Sequence, residues 1–228
     1  MSLSDYWIAS LCSLILRVQG LKHGGALLLV PGREGGLNIK YQLNYDRLQK
    51  GLFRRGVFHI VNTEVSDRIF EEVLDTNGDE VPVDYYLDES ISGTDITEND
   101  KEVDGALWFI ACLSRVDGLI VMDKDLGLHG FGAEITINEI PKAIIRAKSR
   151  LGGIKGGLKL NYDHFGTRHR SMMRYIAQNP DSVGFVISQD DEVRAMTQVN
   201  GKVVVWDDLR LQLQFPARPK RGSQRSRV

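Results

Sequence analysis

The run Gly166-Thr167-Arg168-His169-Arg170 gathers two guanidinium groups, an imidazole and a hydroxyl within five residues. Behind it, Met172, Met173 and Ile176 keep helical spacing and Pro180 closes the segment. Thr167 is a natural helix N-cap, which sets Arg168, His169 and Arg170 in the first turn. A helix N-terminus already presents unpaired N–H groups and partial positive charge, so side-chain cations there are mildly unfavourable. A polyanion against them reverses that balance, and phosphate is the usual occupant. A solvated basic turn is the plainer alternative. Phosphate binding is the leading expectation.

Two Asp-Gly pairs offer a carboxylate to work beside such a cradle. Asp104-Gly105-Ala106 directly precedes the apolar helical run 106–113, so Asp104 reads as a helix cap. Asp117-Gly118-Leu119 instead opens the strand-like Ile120-Val121-Met122. Asp117 is the functional candidate.

Other reactive residue types have plainer readings. His23, His59, His129 and His164 lack ligand spacing and read as polar surface or satisfied groups, with His164 kept as a minor candidate beside the basic run. Cys12 and Cys112 show no CxxC or zinc spacing and sit in apolar helical patterns, so both are expected to be buried thiols. Ser114 and Ser188 have no matching His/Asp partners, which argues against a serine hydrolase. The glycines at 152, 153, 156 and 157, with Arg150, Lys155 and Lys159, read as a basic flap or a solvated loop. GGIKGG lacks the Gly-Lys-Ser/Thr of a P-loop.

These residues must be carried by a chain of 228 residues, 42% hydrophobic and 26% charged, enough for one globular domain and little more. A net charge of −1 gives no global field to recruit nucleic acid or membrane, so neither is an expected partner. The longest apolar stretch, 7–18, is broken by serines and too short for a bilayer, and no leader pattern precedes it; the expectation is a cytoplasmic protein. Residues 64–104 hold 15 of the 30 acidic residues. That segment reads as an insertion of about 60–103, with a helix near 65–74 and then an irregular excursion marked by Asn77-Gly78, Pro82 and Ser92-Gly93. Residues 215–228 are basic without apolar pattern and read as a disordered tail.

The elements that position the candidates follow from periodicity. Helices are predicted at 4–19, 45–52, 104–113, 138–149 and from Thr167 onward, with Trp108 and Phe109 on a core face. Strands are predicted at 26–30, 37–43, 118–122 and 126–131, the last two a hairpin around Asp123-Lys124-Asp125. Further strands fall at 183–188, 193–199 and 202–206, with Asn200-Gly201 as a hairpin turn. The 26–30 run is apolar on both faces, as a central strand covered by helices should be. The expected fold class is α/β, a single domain with a mixed twisted sheet flanked by helices.

The order GGALLLVP, then Asp-Gly at a hairpin, then GTRHR at a helix start and a V-I-S strand end resembles the diadenylate cyclase domain family over about 4–206. Resemblance implies a domain over 4–214 that condenses two ATP into cyclic di-AMP and pyrophosphate, using Mg or Mn. It also implies a homodimer or larger homo-oligomer, because each ATP must present its 3′-OH to the α-phosphate of the other. Asp117, Arg168, His169 and Arg170 would be catalytic. Gly118, Leu119, Gly166, Thr167 and Ser188 would bind nucleotide, and Asp117 with Asp190 would hold the metal. Three positions depart from the family pattern: Val116 replaces a His, Leu119 an Ala, and Gln189 the first of two glutamates. A module of the same fold that binds ATP or cyclic di-AMP without turnover is the alternative.

Overall fold

In the computed structural model, residues 3–32, 35–71, 83–148, 157–207, 209 and 211 are described. The order of elements is α1 (Leu3–Gly20), β1 (Gly25–Val30), β2 (Leu37–Tyr45), α2 (Arg47–Ile69), α3 (Val83–Leu113), β3 (Leu119–Asp123) and β4 (Leu128–Ile135). There follow β5 (Ile144–Arg146), β6 (Leu158–Lys159), α4 (Thr167–Gln178), β7 (Val183–Ile187), β8 (Val193–Val199) and β9 (Lys202–Trp206). Among the described residues the nine strands form one sheet in the order β2-β4-β3-β1-β7-β8-β9-β5-β6. Strands β1 and β3 are parallel, as are β5 and β9, and the other pairings are antiparallel. The fold is α/β with a mixed sheet, as the alternation of patterns predicts.

Strand β1 explains why one apolar run needs two cores. Its Leu27 and Leu29 pack with Leu14, Ile15 and Val18 of α1 and Ile110 of α3. Its Ala26, Leu28 and Val30 face the other way, against Met172, Met173 and Ile176 of α4. All six strand residues are buried. Full burial of a leucine or valine side chain contributes roughly 1.5–3 kcal/mol, so β1 anchors both layers. The chain on either side of β1, β3 and α4 is therefore held firmly.

Several local expectations are corrected. The helix expected over 138–149 does not form in its described residues, 138–148: Pro141 interrupts it, and the β-branched Ile144 and Ile145 join β5, paired with β9 at Val203 and Val204. The short helix at 45–52 is the start of the 23-residue α2. Ser92 and Gly93 lie within α3 rather than in an irregular excursion. Asp104 is likewise inside α3, not at its start, and pairs with Arg17 of α1. The cause is tertiary: Asn99 Nδ2 donates to Gly51 O at 3.0 Å, and Arg55 pairs with Asp100 at 3.0 Å, so α2 templates α3 across the local turn signals. That alignment turns Ala106, Leu107, Ile110 and Ala111 inward and leaves Trp108, Phe109 and Cys112 exposed, against the expectation for all three. Cys12 is buried. Asn77-Gly78, Pro82, the glycines at 152, 153 and 156, Arg150, Lys155 and the 215–228 tail lie outside the described residues.

Candidate functional site

Strands β1 and β3 run in parallel, and β3 begins where the chain leaves α3 through Asp117 and Gly118. Gly118 takes φ +114 and approaches the Gly132 backbone so closely that a Cβ would stand 2.7 Å from its Cα. Only glycine admits that approach without strain. The turn leaves the Asp117 side chain fully open to solvent, with its Oδ1 accepting the Gly118 N–H at 3.0 Å.

Helix α4 delivers the opposing groups. Its N-cap is Gly166, in extended conformation, and Thr167 is the first helical residue, which corrects the expectation that Thr167 caps the helix. A glycine cap has no side chain to satisfy the first-turn N–H groups, so the helix terminus keeps its donors. Arg168 points across to β3, with Nη2 3.9 Å from Asp117 Oδ1. Its Nη1 also lies by Gly24, where a Cβ would stand 3.2 Å from Nη1 and 3.5 Å from the Gln189 nitrogen. Gly24 at φ +71 thus lets the loop before β1 pass the guanidinium.

Asp117, Gly118, Leu119, Thr167 and Arg168 line one cavity of about 540 Å³, together with Ala26, Ser171 and Met172. Five residues predicted from separate stretches of sequence therefore meet. That volume lies in the range of small-molecule sites. Glu134 on β4 adds a second carboxylate to the wall, and sequence reading passed over it, since a lone Glu in a strand pattern carries no signal. Leu119 is buried, with its side chain in the α4-facing core.

The other candidates lie elsewhere. His169 is aimed away from the cavity: its Nε2 lies 3.1 Å from Arg194 Nη1, and its ring tilts on Phe165 with centroids 5.9 Å apart. Arginine can only donate, so Nε2 accepts and the ring proton sits on Nδ1. Burial pushes the His169 imidazole down to about 4, helped by the Arg194 and Arg168 guanidinium groups. At that value the ring is neutral at pH 7. Arg194 itself is held by Asp207 at 2.8 Å and Glu192 at 2.6 Å, a network tying α4 to β8 that no motif announced. Arg170 stands over the Tyr162 ring at 6.0 Å and is not on the cavity wall. Ser188 closes the β7–β8 turn, its Oγ accepting the Glu192 N–H at 3.1 Å and its N–H donating to Glu192 O at 2.8 Å. Asp190 is exposed in that same turn, and neither residue lines the cavity. His164 is exposed, and its Nε2 lies 3.5 Å from Asn161 Nδ2.

The neutral His169 makes stability depend on pH. Its folded pKa of about 4 lies below the ordinary 6.5, so the unfolded chain binds more protons between those values. Stability from this group is present above pH 6.5 and lost as pH falls toward 4. Discounted for partial solvent exposure, the loss is on the order of 1–2 kcal/mol. Urea midpoints at pH 7 and pH 4.5 should converge in His169→Gln relative to wild type. An equal acid-side loss in both would place the sensitivity in another group.

Compared with known proteins, the chain matches no protein-family model, and no curated protein matches it.

Proposed function

We propose that the cavity binds ATP and that two copies of the chain condense their nucleotides into cyclic di-AMP. The observation that carries this reading is the meeting of Asp117-Gly118-Leu119 with Thr167-Arg168 around one nucleotide-sized space. Arg168 and the first-turn N–H groups of α4 supply positive potential to a polyphosphate, and Thr167 adds a hydroxyl. With phosphate bound, the 3.9 Å approach of Arg168 to Asp117 makes the carboxylate and guanidinium neighbours of the same reacting group.

Each condensation forms a bond from a ribose 3′-oxygen to an α-phosphorus and releases pyrophosphate. One cavity holds one ATP, so two cavities must face each other for both hydroxyls to find their targets. Arg168 offsets the negative charge that develops on the α-phosphate oxygens.

A divalent metal is tested by the donor set. Among the described residues no three His, Cys, Asp or Glu side chains group together as a cage. Mg²⁺ commonly takes one or two protein carboxylates and fills its remaining positions with substrate phosphates and water. Asp117, with Glu134 on the same cavity, fits that arrangement, and Asp190 does not line the space. When bound, Mg²⁺ or Mn²⁺ would lower the cost of deprotonating the attacking hydroxyl.

The test is to incubate the full chain with ATP and Mg²⁺ or Mn²⁺ and identify products by mass. Cyclic di-AMP and pyrophosphate are the expected products. In parallel, Arg168→Ala should weaken ATP binding by about 1.5–3 kcal/mol, the worth of a hydrogen bond to a charged group, while Arg170→Ala changes it little. ATP binding with no product under any metal would favour the sensing alternative, whereas binding of neither ATP nor cyclic di-AMP would remove both readings.

A further inference from the structure

The cavity lined by Asp117 and Arg168 stands at the amino ends of the parallel strands β1 and β3, beside Ala26 and Leu119. A second cavity, of about 240 Å³, opens toward their carboxyl ends, where Val30 lies level with Asp123. Ligands of open α/β sheets gather outside the carboxyl ends of parallel strands. Val30 and Val121, both buried, line this space together with the half-buried Leu37 and Ile39 of β2. Its polar side chains are His129 of β4 and the exposed Gln42 and Asn44 of β2. Among the described residues no Lys, Arg, Asp or Glu lines it.

The turn between β3 and β4 sets a carboxylate behind His129. Asp123 Oδ1 accepts the N–H groups of Asp125 and Gly127, each at 2.8 Å, and Oδ2 lies 3.5 Å from His129 Nε2. A Cβ on Gly127 would stand 2.5 Å from Oδ2, so glycine is what leaves room for the carboxylate. Leu126 in the same turn is buried and held at φ +65, a strained conformation for a leucine. Strain of this kind collects at binding sites. His129 Nε2 is buried and makes no hydrogen bond among the described residues. A carboxylate facing Nε2 keeps the ring proton on that nitrogen, which makes Nδ1 the acceptor. Neither Gln42 nor Asn44 spends its side-chain amide on a hydrogen bond among the described residues.

We propose that this cavity is a second small-molecule site, for a neutral purine. A cavity of roughly 150 Å³ holds a benzene ring, so this one has room for a bicyclic heterocycle. Its aliphatic side chains suit the flat face of such a ring. An Asn or Gln amide pairs bidentately with the amine and N7 edge of adenine, and Nδ1 of His129 accepts the second proton of that amine. No guanidinium or ammonium group is present for a phosphate, so the ligand is a base or nucleoside rather than a nucleotide. The site uses the opposite end of β1 from Asp117 and Arg168, and it does not rest on the reading of that cavity.

The test is an NMR titration of the full chain with adenosine, which carries no phosphate. It is read at the His129 ring signals, assigned by their loss in His129→Gln. Adenosine is expected to shift those signals saturably. Gln42→Ala with Asn44→Ala should weaken binding by about 10-fold or more, and both positions are exposed, so the fold is retained. Cytidine, with one ring, should bind at least about 10-fold more weakly than adenosine. No saturable shift at millimolar adenosine would overturn the proposal. So would a shift that the double variant leaves unchanged, or cytidine binding as tightly as adenosine. Turnover of ATP is measured separately, so failure of either reading leaves the other standing.

Discussion

Asp117→Asn is expected to abolish cyclic di-AMP formation while the fold is retained. The side chain is fully exposed and contributes one local contact, to the Gly118 N–H, which an amide oxygen can also accept. Removing its charge removes the open carboxylate of the cavity and the anionic neighbour of Arg168 at 3.9 Å. A fall in turnover of about 100-fold or more is the size expected for loss of a metal-binding or charge-organising group. Asp190→Asn is the matched comparison, since Asp190 is exposed but does not line the cavity, and its turnover should stay near wild type. Mass-detected product at matched enzyme and metal concentrations reads both. If Asp117→Asn turned over normally and Asp190→Asn did not, the metal carboxylate would be in the β7–β8 turn and the cavity assignment would fail.

Gly118→Ala is expected to be the most destabilising single methyl the site can receive. The residue holds φ +114, which L side chains rarely adopt, and the added Cβ would fall 2.7 Å from Gly132 Cα and 2.9 Å from the Ala133 nitrogen. Both obstacles are backbone atoms of β4, so no side chain can swing aside. Strain and overpacking each cost roughly 1–3 kcal/mol, giving about 2–6 kcal/mol together. For a chain of this length that lowers Tm by on the order of 10 °C. Gly166→Ala provides the contrast: open space surrounds its Cβ position, so a change of only a few degrees is expected. A melting temperature for Gly118→Ala within error of wild type would show that β3 and β4 can separate at that point. The close approach would then not be what shapes the cavity mouth.

The candidate site was legible where chemistry and local pattern coincide. Arg168 at a helix start, Asp117 at a strand mouth and the two-faced apolar run of β1 each carry a signal readable within ten residues. The strands 183–188, 193–199 and 202–206 are equally local, with Asn200 and Gly201 both at positive φ in the hairpin turn. Such features depend on side-chain periodicity and turn chemistry, which the chain states in order.

What local sequence missed was direction and long-range partnership. Nothing adjacent to His169 reveals that its ring turns to Arg194, because that partner is 25 residues away on strand β8. Arg168 and Arg170, two apart in one first turn, project to different neighbours, and only the packing of α4 on the sheet decides which faces Asp117. Glu134 joined the wall through the pairing of β3 with β4. The acidic insertion became a helix because α2 supplied Gly51, Arg54 and Arg55 as partners, overriding the Ser92-Gly93 turn signal. The sequence by itself thus marked the basic run 166–170 and the Asp117 carboxylate as chemistry-bearing groups, and determined that an α/β sheet would hold them. The tertiary structure alone decided which of them share a cavity, since burial and pairing energies act between segments that the chain keeps far apart.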